Sequence, residues 1–285
     1  MRRARIGTSS LFYRKASQMS DVRDAGHELA NQLSTVLALA DLERRRAERG
    51  GGEAETFATI ADCVRKAASS ADVLSAGSRD LRYLRAAHGE SEPLIKELEE
   101  LCARDDIPLI DPSTARFLSV TVSAMLASSI LELGTAYGYS ALTMARAQPE
   151  AGRIWTIDPD RERTAIARSF FERAGVADRI EIIEQPALDV LPKLAQRQYD
   201  IVFIDALKEE YADYLRLTLP HLKRCGLVIV DNLLWHHRVA VPEADTDEES
   251  TKSIRRFNRA FLSHPDLNSA ILPIGDGVGI GAKTR

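Results

Sequence analysis

Residues 200–208 read Asp-Ile-Val-Phe-Ile-Asp-Ala-Leu-Lys, an apolar run that ends on the carboxylate of Asp205, with an ammonium group three positions on at Lys208. A second run, Leu227–Val230, ends on Asp231-Asn232. If the two strand ends are neighbours, two carboxylates and an amide oxygen converge, a ligand set suited to a hard divalent cation, Mg2+ above all, with positions left open for water or substrate. Acids at strand ends also occur without any metal, so a solvated pair is the other reading. Beside a cation and partly buried, Lys208 would hold its proton less tightly and could serve as a general base near neutral pH. At an open helix start it would simply be solvated.

Upstream, Glu132-Leu-Gly134-Thr-Ala-Tyr-Gly138-Tyr-Ser140 places glycines where a backbone turns sharply after an apolar run and enters a helix. The spacing of Gly134 and Gly138 is not the G-x-G-x-x-G that cradles a dinucleotide pyrophosphate. With Glu132 ahead of the turn, the loop suits a ligand carrying an amino group and no phosphates, or it is a tight turn and nothing more. Asp158 ends the next run, where an acid accepts hydrogen bonds from ribose hydroxyls or caps a helix. Trp235-His236-His237 follows the acid pair. Adjacent histidines rarely face one ion, so a substrate-facing rim is the better reading than a soft-metal site.

Strand-like runs at Ser129–Leu133, Ile154–Ile157, Ile180–Ile183, Ile201–Ile204 and Leu227–Val230 alternate with helical stretches at about 140–147, 162–173, 188–196 and 211–223. That alternation implies a parallel sheet covered on both faces, and the continuous β-branched runs fit burial on both sides. Open parallel sheets bind ligands beyond the carboxyl ends of their strands, which is where the residues above fall. Two later runs, Ser269–Ile274 and Val278–Ala282, flank Gly275-Asp276-Gly277 and should form the last pair of the sheet. Cys225 reads as packing.

Residues 1–18 carry five basic residues and no acid, the signature of a disordered basic arm without the apolar stretch of a secretory signal, and translation from Met19 is an alternative start. Apolar residues then recur at three- and four-residue steps from about 21 to 49 and 53 to 74, broken by Gly50-Gly51-Gly52. An antiparallel helical hairpin over 19–90 is the economical reading, as a dimerisation or lid element. His27 on its first helix resembles the phosphoacceptor position of the dimerisation hairpin of sensor histidine kinases; no ATP-binding half follows, so helix-pair dimerisation is what that likeness implies.

The net charge of −4 and pI near 5.9 argue against nucleic acid as the main partner. No run is long enough for a transmembrane helix. Cys63, Cys102 and Cys225 lack metal-ligand spacing and fit free thiols in a reducing, cytoplasmic setting.

Taken together, "LELGTAYGYSALTMA", "TIDPD", "FIDALKEEY", "VIVDNLLWH", "RRFN" and "LPIGDGVGI" closely resemble the cation-dependent O-methyltransferases, the family of catechol and caffeoyl-coenzyme A O-methyltransferases. The resemblance runs from about Ser91 to the C-terminus. It implies an α/β fold, a Rossmann-like seven-stranded methyltransferase sheet with helices on both faces, and S-adenosylmethionine as cofactor. By motif, Glu132, Gly134 and Ser140 would hold the methionine end of the cofactor, Asp158 the ribose and Ala187 the adenine. Asp205, also against the cofactor, would bind Mg2+ with Asp231 and Asn232, and Lys208 would be the base. Many relatives carry an acid where this chain has Leu207, a glycine at Gln185, and Asn-Gly in place of His236-His237. The first two changes touch the cofactor side, and the last alters the substrate mouth.

The expected activity is methyl transfer to a hydroxyl of a catechol-like small molecule, an aromatic vicinal diol, by a homodimer. Two other readings stand beside it: a metal-independent methyltransferase of another acceptor, and an interaction protein working through its amino-terminal hairpin.

Overall fold

The computed structural model describes residues 83–84, 86–89, 91–194, 197–241, 243 and 247–284. The expected basic arm, and the hairpin apart from its last few residues, lie outside the described residues. Pro93–Arg285 form one compact unit. Its elements are α1 (Pro93–Arg104), α2 (Pro112–Met125), β1 (Ser129–Leu133), α3 (Tyr139–Ala147), β2 (Arg153–Ile157), α4 (Arg161–Arg173) and β3 (Ile180–Ile183). These are followed by α5 (Ala187–Val190), β4 (Tyr199–Ile204), α6 (Tyr211–Thr218), β5 (Leu222–Val230), α7 (Glu249–Leu262), β6 (Leu267–Leu272) and β7 (Val278–Lys283).

The strands form one seven-stranded sheet in the order β3-β2-β1-β4-β5-β7-β6. The first five are parallel, and β7 runs antiparallel to both β5 and β6. The expected α/β sheet and its closing pair are therefore present. Strand β4 shows why its sequence reads as an unbroken apolar run: Ile201 and Phe203 pack into the core beneath α1–α4, while Val202 and Ile204 pack into the core beneath α5–α7. All four are fully buried.

Three helices were not anticipated. Helix α2 starts at Pro112, whose missing N–H costs nothing there, with the Asp111 carboxylate accepting from Ser113 N–H at 2.8 Å. Helix α7 buries Ile254, Phe257 and Phe261, spaced by three and four residues, with the last two rings stacked at 5.5 Å. Helix α1 buries Leu98 and Cys102.

Two expected helices are shorter than their apolar pattern, each for the same reason. A proline inside the stretch removes a donor and tightens the chain into a 3-10 turn, Leu191–Lys193 around Pro192 and Leu219–His221 around Pro220. The second turn lets β5 begin at Leu222, earlier than expected. Cys225 is also corrected: it is exposed, at a left-handed position (φ 63°) within β5, and does not pack. No helix among the described residues is long and apolar enough to cross a membrane.

Candidate active site

The strand register aligns the chemistry. Leu133 of β1 pairs with Ile157 of β2 and Ile204 of β4, and Ile204 pairs with Val230 of β5. The next residue on each strand is Gly134, Asp158, Asp205 or Asp231, so four singled-out positions fall in one row. Backbone bonds extend the ladder past that row: Gly134 N–H donates to Ile157 O at 2.9 Å, Asp205 N–H to Leu133 O at 2.9 Å, and Asp231 N–H to Ile204 O at 3.0 Å.

Glu132 is fully buried two residues before the row. Its Oε2 accepts from the Thr156 hydroxyl at 2.5 Å, and Thr156 in turn lies 2.6 Å from the Thr135 hydroxyl. Its Oε1 is buried and accepts no hydrogen bond of normal geometry. The carboxyl is pushed up to about 8; burial is the main cause, the hydroxyls of Ser140 and Thr156 oppose it, and the charges of Asp205 and Asp158 add to it. A buried acceptor without a donor is what a cationic amino group would satisfy.

The following loop lies directly on β4. Gly134 has φ 101°, and a Cβ there would fall 2.0 Å from the Asp205 carbonyl oxygen, so no other residue fits. Ser140 is buried in the first turn of α3, and Ala187 is buried at the start of α5. Asp158 does what a turn aspartate does: Oδ2 accepts from Ala136 N–H at 2.8 Å and Oδ1 from Asp160 N–H at 2.9 Å. Each oxygen keeps a second lone pair, so ribose hydroxyls and the turn do not compete.

On the β4 and β5 side, Lys208 Nζ donates to Asp205 Oδ1 at 2.9 Å and to the Tyr211 hydroxyl at 2.8 Å, and its side chain is only 13% exposed. Tyr211 is fully buried and donates onward to the Asp231 carbonyl at 3.2 Å. Burial, then the charges of Asp205 and Asp231, raise Tyr211 well above the ordinary phenol value, so it stays protonated. Asp231 is itself raised, by burial first and then by the Asp205 charge. Two carboxylates that disfavour each other, with one ammonium between them, fit an additional positive charge. Among the described residues no group of three or more His, Cys, Asp or Glu side chains makes a metal cluster. Asn232 follows directly, its backbone N–H donating to Asp231 Oδ1 at 2.8 Å. Leu207, beside Lys208, is 61% exposed.

After Asp231 the chain takes an uncommon path. Asn232, Trp235, His236 and His237 all have left-handed backbone, which costs about 1–2 kcal/mol for each non-glycine residue. Trp235 is partly buried against the α5–α7 core, with its ring 5.8 Å from Lys208 Nζ and its indole N–H buried without a partner. His236 and His237 are exposed. Helix α7 supports this segment from beneath: Asn258 Nδ2 donates to Leu233 O at 2.8 Å, and buried Arg255 pairs with Asp247 and donates to Arg238 O at 2.7 Å and Val241 O at 3.0 Å.

The O-methyltransferase family pattern matches residues 85–284. The chain belongs to the O-methyltransferase family. Caffeoyl-CoA O-methyltransferase 5 of Nicotiana tabacum is 34% identical over 195 residues, 65% of this chain and 81% of that relative. The O-methyltransferase TomG of Streptomyces achromogenes, involved in tomaymycin synthesis and solved with S-adenosylmethionine, superposes with a TM-score of 0.65 at 27% identity, over 71% of this chain and 95% of that one. An O-methyltransferase of Bacillus cereus solved with S-adenosylhomocysteine gives a TM-score of 0.65 at 27% identity, over 71% and 96%.

This O-methyltransferase thus gathers sequence-identified residues at the carboxyl ends of its strands in two groups, Glu132, Gly134, Ser140 and Asp158 at the ends of β1 and β2 and just beyond them, and Asp205, Lys208, Asp231 and Asn232 after β4 and β5. Sequence reasoning gave no role to Thr156, Tyr211, Asn258 or Asp276. Tyr211 had a signal, since it sits three residues after Lys208 in the same motif. The others act through contacts far along the chain, which spacing does not report.

Proposed function

We propose that the enzyme transfers the methyl group of S-adenosylmethionine to one hydroxyl of an aromatic vicinal diol held on Mg2+, with Lys208 as general base. The observation that carries this reading is Lys208, nearly buried and held between the Asp205 carboxylate and the protonated Tyr211 hydroxyl at the mouth of the Asp205/Asp231/Asn232 set. When bound, the sulfonium supplies an activated methyl group, and the cation supplies charge that acidifies a chelated phenol, otherwise near pKa 10.

The chain's own residues do the rest. Glu132 Oε1, buried without a partner, would accept the cofactor's ammonium group as a carboxylate, its proton having passed to solvent. Gly134 lets the backbone approach the cofactor, with Ser140 beside its methionine end. Asp158 holds the ribose while fixing its own turn, and Ala187 offers a small surface to the adenine. Asp205, Asp231 and the Asn232 amide oxygen hold the cation. Lys208, placed by its contacts to Asp205 and Tyr211, would accept the proton of the reacting hydroxyl. The remaining requirement is alignment of oxygen, methyl and sulfur in a site that excludes water.

The direct test is methyl transfer to catechol with and without a chelator, beside the Asp205→Ala variant. Loss of about a hundredfold or more in both is expected. Full activity in chelator, or in the variant, would sink the cation mechanism and favour a metal-independent methyltransferase.

A further inference from the structure

The left-handed run after β5 needs something to hold it. Asn232 (φ 63°), Trp235 (47°), His236 (53°) and His237 (64°) each sit where L residues are disfavoured, and none is glycine. What holds them arrives from the turn between β6 and β7. Leu233 N–H donates to Gly277 O at 2.9 Å and Leu234 N–H to Asp276 O at 2.8 Å. These bonds are made by backbone and survive any substitution that keeps the turn. The third is made by a side chain: His236 N–H donates to Asp276 Oδ1 at 2.6 Å.

The Asp276 side chain is only 18% exposed, and its Oδ2 is buried with no hydrogen bond, 3.6 Å from His236 Nδ1. Burying a carboxylate is costly unless its bonds are needed. The turn also has no slack, because a Cβ on Gly277 (φ 91°) would lie 2.6 Å from the Leu234 nitrogen. Turn and loop are packed backbone to backbone, and the carboxylate reaches across the join at the position where the left-handed run begins its last two residues.

We propose that Asp276 is a positioning residue: its side chain clamps the Asn232–His237 segment in its left-handed path and so fixes where Asn232 and Trp235 face the acceptor. The clamp touches neither Asp231 nor Asn232 through any described hydrogen bond; it acts through the His236 backbone. The inference rests on the reading that this segment borders the acceptor, and its test separates the two.

The chain has two tryptophans, so Trp155→Phe leaves Trp235 as the only reporter. In that full-length background, we would measure acrylamide quenching of Trp235 and amide hydrogen exchange of the peptide spanning 230–240, together with S-adenosylmethionine affinity, kcat, and KM for catechol. Asp276→Ala should speed exchange at 233–237 and raise KM about tenfold each, the weight of one hydrogen bond, with cofactor affinity unchanged. Asp276→Asn keeps an oxygen for His236 N–H and should restore both to near the parent values.

Wild-type exchange and quenching in Asp276→Ala would overturn the clamp. So would an asparagine variant as impaired as the alanine variant, since the charge rather than the bond would then matter. If the alanine variant fails to fold, the asparagine variant alone decides, by whether the 233–237 amides keep parental protection. If the loop loosens while KM stays constant, the clamp's role toward the acceptor is refuted. Activity of the parent that ignores chelator speaks only against the cation reading, since the exchange measurement needs neither metal nor acceptor.

Discussion

At the scale of single residues, the buried carboxyl of Glu132 links pH to both stability and binding. In the folded, cofactor-free chain it keeps its proton to about pH 8, whereas its ordinary value is 4.5. Between those values the unfolded chain has released a proton that the folded chain retains, so stability falls as pH rises through the window and levels above about 8. Glu132→Gln keeps an acceptor for Thr156 and should remove that slope, melting higher than the parent at pH 8 without cofactor. Binding of an ammonium group to the ionised carboxylate runs the opposite way: cofactor affinity should climb by up to about tenfold per pH unit below 8, and the variant should lose that climb. Thermal melts and calorimetric titrations at pH 5, 6.5 and 8 check both. Asp158, Asp205 and Asp231 were legible in the sequence because each stands at the end of an apolar run, and Glu132 because it interrupts one just ahead of a glycine turn, where a charge is conspicuous. Thr156, inside a run, and Asp276, in a turn, were not, because their meaning comes from partners across the sheet.

At the scale of elements, the loop after β1 and the end of β4 are one construction. A single added carbon at Gly134 meets a carbonyl oxygen at 2.0 Å, and backbone cannot swing aside as a side chain can. Gly134→Ala should therefore cost about 4 kcal/mol or more, lowering the melting midpoint by roughly 10 °C or preventing folding, as scanning calorimetry or soluble yield would show. A parental midpoint would mean that the loop and strand are not in contact. Strands β1 and β4 were readable because they are buried on both faces and need no alternation, whereas β3, at the sheet edge with Glu181 exposed, was readable from its isoleucines. Helix α2 was hidden by serines and β-branched residues in a sequence with no strong apolar stripe, although Asp111-Pro112 marks its start. The overlong expectations for α5 and α6 came from trusting apolar spacing over Pro192 and Pro220.

At the scale of the whole molecule, the family match leaves residues 1–84 aside, and their role is a sequence-level proposal: a helical hairpin that pairs two copies of the chain. The hairpin is expected over 19–90, and removal of residues 1–90 should lower the oligomeric state seen by light scattering; an unchanged dimer would refute the pairing. Strand alternation made the β4-β5 neighbourhood readable, but not that β1 lies between β2 and β4, nor that β7, the last strand, lies between β5 and β6. That placement has a consequence in time. A ribosome releases β1 to β4 with their loops well before the C-terminus, so Glu132, Gly134, Asp158 and Asp205 can take their places while the chain is still growing. The outer edge of β5 stays unpaired until Val278–Lys283 emerges, and only then does the turn bearing Asp276 reach the loop after Asp231. On the proposed assignment, the residues for the methyl donor leave the ribosome before those that frame the acceptor are complete.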